Sequence, residues 1–176
     1  GPGLDLTPSG TGLDPAAGAA GHSGPGAVTT EGNVVEYTAS VRSTADAHEV
    51  HVGTGGRARP LDVPGRDGAP GSAVSGGELL FLALATCFTN DVHREAAARS
   101  VPVDGVDVEV RGRFDAPGAT AHDVVYRVIV TSPAPEAVVR DLVAHVDAIA
   151  EVHGSLRAGT PVTLTDVRVE RSATPA

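Results

Sequence analysis

One residue in this chain carries a thiol, Cys87, and it lies inside a long apolar run. A free cysteine reacts as its thiolate, which needs a cation or a hydrogen-bond donor close to the sulfur. It is equally a small hydrophobe that cores bury well, and its chemistry alone leaves both readings open. Arg94 follows seven residues later on the same helical face, yet roughly 10 Å along the axis. Arg42, Arg57 and Arg59, upstream in strand-like segments, are the other cations that could reach across, and spacing does not choose among them. Of the seven histidines, His48 and His51 are three apart in a strand and point to opposite faces. His93 is about 120° off the Cys87 face of a helix. His145 and His153, eight apart, share a helical face, and packing of that helix on the first would make an activating Cys–His pair. No HxxxH or HExxH spacing occurs, so no metal site is expected, and no cofactor motif is seen. Gly76-Gly77 opens a helix and its amides could hold an anion, but Glu78 would repel one.

These groups need elements to position them. Val35, Tyr37, Ala39 and Val41 alternate with polar residues, which predicts a half-buried strand. Glu49–Val52 and Arg57–Val63 predict two more, separated by the turns 43–47 and 53–56. After a Gly- and Pro-rich loop, Ser75-Gly76-Gly77-Glu78 forms an S-x-x-E capping box. The run from Leu79 to Ala85 is apolar on every side, which predicts a helix buried all round and ending near Ser100. Such a helix needs cover on both sides, and a second copy of the chain supplies it economically. Val106–Phe114 and Val124–Val130 predict a hairpin. Val138, Leu142, His145, Val146 and Ile149 predict one amphipathic helix ending near Gly154. Val162, Leu164, Val167 and Val169 predict a closing strand. This order is not the βα alternation of a parallel sheet, so the expected class is α+β with antiparallel pairing.

Composition narrows the function. The chain has 176 residues, enough for one domain, and 41% of them are hydrophobic. Its net charge of −9 argues against nucleic acid as a partner. No segment approaches 18 consecutive apolar residues, so no transmembrane helix is expected. A single cysteine excludes an internal disulfide and fits a cytoplasmic setting. All 13 basic residues are Arg, and Ala, Gly, Val and Pro abound, the imprint of a GC-rich genome such as an actinobacterium's. Residues 1–30 hold only isolated leucines and read as a disordered leader, with Gly1-Pro2-Gly3 taken as a tag remnant. The domain is expected over 31–172.

The stretch Ser75–Phe88 resembles the first-helix signature of the OsmC/Ohr (organic hydroperoxide resistance) family, roughly P-x-E-L-L-x-A-A-L-x-x-C, and Val152–Val162 looks like its second motif. The resemblance covers about residues 33–170. It implies an OsmC-like α+β fold with antiparallel sheets and two central helices, an intertwined homodimer with sites at the interface, and a thiol peroxidase acting on organic hydroperoxides. Cys87 then matches the attacking cysteine, Arg42 the arginine that polarises the peroxide, and Glu78 the acidic residue at the helix start. Two departures stand out. The second, resolving cysteine falls at Ala150, and the catalytic glutamate of the hydroperoxide branch falls at Gly77, with Glu78 one position later. The expected function is therefore single-cysteine reduction of a small-molecule hydroperoxide, recycled by an external thiol. The alternative is a fold repurposed for non-redox chemistry, with His153, Asn90 or Asp91 facing the pocket, or for binding an apolar small molecule at the dimer interface.

Overall fold

A computed structural model describes residues 34–168; the expected leader and Val169 lie outside the described residues. The described chain is α+β, in the order β1 (Tyr37–Ser43), β2 (His48–Thr54), β3 (Arg57–Pro60), α1 (Gly76–Ala98), β4 (Gly105–Arg113), β5 (His122–Thr131), α2 (Glu136–Ile149) and α3 (Glu151–Ala158). β1, β2 and β3 form one antiparallel sheet, with Arg42 opposite Glu49, and β4 and β5 form a second. At the turn between β2 and β3, Gly55 and Gly56 both take positive φ, 55° and 79°, a conformation that costs a side chain.

The core lies between the helices and the β4–β5 sheet. Phe88, Val92 and Ala96 of α1 meet Leu142 and Val146 of α2 and Ala150, all at most 3% exposed. The alternating faces of β4 and β5, Val106, Val108, Tyr126 and Val128, pack onto them. Ser75 caps α1 as its sequence predicts. Its hydroxyl accepts from the Glu78 amide at 3.2 Å, and its own amide donates to the Glu78 carboxylate at 2.7 Å.

Four expectations are corrected. β1 is not half-buried: all seven of its residues are exposed, because within one chain the β1–β3 sheet pairs with itself and no helix packs substantially on it. Within one chain α1 is not buried all round. Only Leu84, Phe88, Asp91, Val92 and Ala96 are enclosed, and Leu82 on the outer side is 59% exposed. The second helix is not continuous. Ala150 takes an extended conformation (φ −61°, ψ 112°) and divides it into α2 and α3. Finally, residues 160–168 form no strand; Val162 and Leu164 stand exposed, since no edge of either sheet pairs with them.

Candidate functional site around Cys87

Cys87 lies midway along α1, half-buried, where the helix faces the first turn of α3. Helical spacing puts Asp91 one turn on from Cys87. The Cys87 thiol donates to Asp91 Oδ2 at 3.6 Å and lies 3.9 Å from Glu151 Oε2. The Val152 backbone amide also acts on the sulfur and favours its ionised form. Burial pushes the thiol above its ordinary range, the Val152 amide pulls it back, and the charges of Asp91 and then Glu151 push it up again. Arg94 does not touch the sulfur but binds the far oxygen of Asp91, so its charge reaches Cys87 through that carboxylate. The donors of Cys87, Asp91 and Glu151 lie within 4.8 Å of one another. Cys87 is the hydrogen-bonding centre of this cluster.

The other predicted residues are placed as follows. Glu78 is exposed at the start of α1, about 13 Å along the axis from Cys87, and its carboxyl is held below the usual range by Ser75, chiefly by the backbone amide. Arg42, on β1, and Arg57 and Arg59, on β3, are exposed on the three-stranded sheet and are not among the groups that touch Cys87. Asn90 is exposed on α1. His153 is 4% exposed on α3, with neither ring nitrogen hydrogen-bonded; its ring sits against Phe88 at 5.4 Å and Tyr126 at 4.9 Å. Burial first, then the charge of Arg157, holds its pKa below the usual 6.5, so the ring is neutral. It enters the core rather than forming a pair with the thiol. His145, across the helix break, pairs with Glu95 at 3.2 Å instead.

Both positions that depart from the family pattern have packed surroundings. A Cβ on Gly77 would meet the Phe114 ring at 3.0 Å, and Phe114 is itself stacked on Phe81 with centroids 6.0 Å apart. No glutamate fits there unless Phe114 moves. Ala150 is 3% exposed within the core, and its neighbour Glu151 supplies the polar group beside the sulfur. Glu151 escaped the sequence reading because it lies 64 residues away from Cys87, whereas Asp91 carried a usable signal in its four-residue spacing.

The family model for OsmC-like protein matches residues 69–165, which span α1, the hairpin, α2 and α3. The chain belongs to the OsmC-like family. No curated protein matches its sequence. Among solved structures, this OsmC-like chain is similar to an OsmC-like protein from Mycoplasma pneumoniae, at 15% identity over 68% of this chain and 87% of that one, with a TM-score of 0.49. An OsmC-like hydroperoxide resistance protein from Jannaschia sp. CCS1 matches at 16% identity over 78% and 95%, TM-score 0.43. An organic hydroperoxide resistance protein from Legionella pneumophila matches at 18% over 69% and 89%, TM-score 0.45. Among the described residues, no helix is long and apolar enough to cross a membrane.

Proposed function

We propose that this OsmC-like protein is a cytoplasmic homodimer that reduces organic hydroperoxides through Cys87 alone. The observation that supports it best is the place of Cys87: half-buried at the family's first-helix position, against the turn that follows Ala150, with the Val152 amide on its sulfur. In this reading the Cys87 thiolate attacks the distal peroxide oxygen, the O–O bond breaks, and the alkoxide leaves as an alcohol after taking a proton. Cys87 becomes a sulfenic acid. With no second cysteine in the chain, two equivalents of an external thiol return it to the thiol, releasing water and a disulfide. Ionising Cys87 against Asp91 and Glu151 calls for a cation. The open faces of the β1–β3 sheet suit packing on a second copy, and Arg42 of that copy is our candidate. Glu78 then serves the site by fixing the start of α1.

A second reading is favoured by the acidic surroundings of the thiol and by the Phe114 ring over Gly77: a pocket between subunits that binds an apolar small molecule without chemistry. Intact-mass analysis separates the two. The full chain is treated with an organic hydroperoxide, with and without a sulfenic-acid trap, and Cys87→Ser is the control. A trapped adduct at near-stoichiometric peroxide supports reduction. No modification at large excess, in a folded protein, refutes hydroperoxide reduction and leaves the readings without redox chemistry.

A further inference from the structure

A single extended residue, Ala150, joins α2 to α3. Such a break leaves the angle between two helices free unless something spans it. It also leaves the last carbonyls of α2 without intrahelical partners. Arg157, in the last turn of α3, reaches back over the break. Its Nη1 donates to the backbone carbonyl of Asp147 at 2.9 Å, and its Nη2 donates to Asp147 Oδ1 at 2.6 Å. The Tyr126 hydroxyl, from β5, donates to the same carboxylate oxygen. One carboxylate thus ties two helices to a sheet with charge-assisted bonds, which fix direction well.

We propose that Tyr126, Asp147 and Arg157 form a brace that positions the first turn of α3 against Cys87. The proposal rests on Cys87 being the reactive group of the site. α3 hangs from Ala150, so losing the hold on its Arg157 end lets the helix roll as well as swing about the break. Side chains stand about 6 Å from a helix axis, so a roll of about 20° carries the Glu151 carboxylate about 2 Å, enough to withdraw it from its 3.9 Å separation and to shift the Val152 amide. Tyr126 acts twice, since its ring also supports the His153 ring halfway along the helix. Arg157 and Asp147 are 53% and 45% exposed at their side chains, a setting in which an ion pair adds little stability. The value of the brace lies in the angle it sets. The charged groups facing Cys87 are Asp91, with Arg94 behind it on α1, and Glu151 on α3. Only the last moves with the brace.

The test is the pH dependence of Cys87 alkylation by iodoacetamide in the full chain, for the parent protein, Arg157→Gln, Arg157→Lys and Arg140→Gln. Releasing α3 hydrates the sulfur and removes the Glu151 charge. Loss of the Val152 amide opposes these effects, but burial is the larger influence. The apparent pKa in Arg157→Gln therefore falls toward the ordinary thiol value by about half a unit to one unit, roughly three- to tenfold in thiolate at pH 7.5. Arg157→Lys, which keeps one bond, shifts less. Arg140→Gln loses only an exposed pair with Glu136 on α2 and keeps the parent profile. An unchanged or upward-shifted profile in Arg157→Gln, with parent-like helicity and melting, overturns the proposal. Should that variant fail to fold, Tyr126→Phe keeps the ring, drops the hydroxyl and must shift in the same direction, and an unchanged profile there refutes the brace equally. Alkylation needs no peroxide. A thiol whose pKa responds to the brace but which never forms a sulfenate refutes hydroperoxide reduction and leaves the brace standing.

Discussion

The substitution Asp91→Asn removes the nearest negative charge from Cys87 while keeping the side chain's shape. Asp91 Oδ2 lies 3.6 Å from the sulfur. Two unit charges at that distance interact by about 1 kcal/mol in water and roughly 4–5 kcal/mol at an effective dielectric of 20. Arg94 on the other carboxylate oxygen offsets part of that field, and water reaches the half-buried sulfur, so the low end of the range applies. The thiol pKa is expected to fall by about one unit. At neutral pH the thiolate fraction rises about tenfold. Nucleophilicity falls with basicity at a Brønsted slope of about 0.4–0.5, a loss of about threefold. The net result is alkylation about threefold faster near pH 7 and about threefold slower on the plateau above both pKa values, so the two profiles cross. The carboxamide that replaces the carboxylate keeps an oxygen for Arg94, so folding is expected to survive. Pseudo-first-order iodoacetamide kinetics from pH 6.5 to 10.5, read by intact mass, give both limbs. A rate at pH 7 that is unchanged or slower shows that the Asp91 charge does not govern the thiol. A faster rate without a lower plateau shows that access to the sulfur changed instead.

Two further outcomes test the surroundings of the site. His153 is held neutral by burial, with a folded pKa below 6.5. A base with a depressed folded pKa contributes fully above its unfolded pKa and loses that contribution as pH falls below it. The denaturation midpoint is therefore expected to drop between pH 7 and pH 5, and His153→Leu to flatten that slope; an equal slope in the variant means that another group is responsible. Leu142 is 1% exposed at the centre of the core, so Leu142→Ala is expected to cost about 2–5 kcal/mol in denaturant unfolding. A loss under about 1 kcal/mol would mean that α2 does not pack there.

Features encoded over short distances were the legible ones. The Ser75–Glu78 capping box reads directly from four residues, and the structure realises both of its bonds. The hairpin of β4 and β5 reads from two alternating runs, and its register follows them apart from a shift between Arg111 and Arg113. Features that depend on distant partners were not. Nothing local to Ala150 ends a helix: it is a good helix former in a continuous pattern. The break there goes with contacts from Tyr126, 24 positions upstream, and from Arg157 seven positions on. Val162 and Leu164 alternate as a strand should, but alternation records only a face to bury, and no described strand pairs with this segment. Glu151 beside Cys87 is the same lesson at the site, because its relation to the sulfur exists only once α3 has turned.

The two positions that depart from the family pattern lie within packed surroundings. A side chain simply shortened leaves a void, and voids destabilise a protein core. Here Ala150 fits the core at 3% exposure, Gly77 is filled from outside by Phe114, and Phe114 is held in turn by Phe81. Gly112 completes the arrangement. A Cβ there would meet Phe81 at 2.7 Å, so the glycine is what lets that ring lie under Phe114. These positions fit one another: a side chain at 77 would require the Phe114 ring to shift, and that ring is stacked on Phe81. Restoring the family's residues singly is therefore expected to damage packing before it restores chemistry. Gly77→Glu should lower stability by about 1–3 kcal/mol, as overpacking does, and Gly77→Glu combined with Phe114→Ala should recover part of that loss. Additive losses in the two single variants and the pair would show that Phe114 is not what closes position 77.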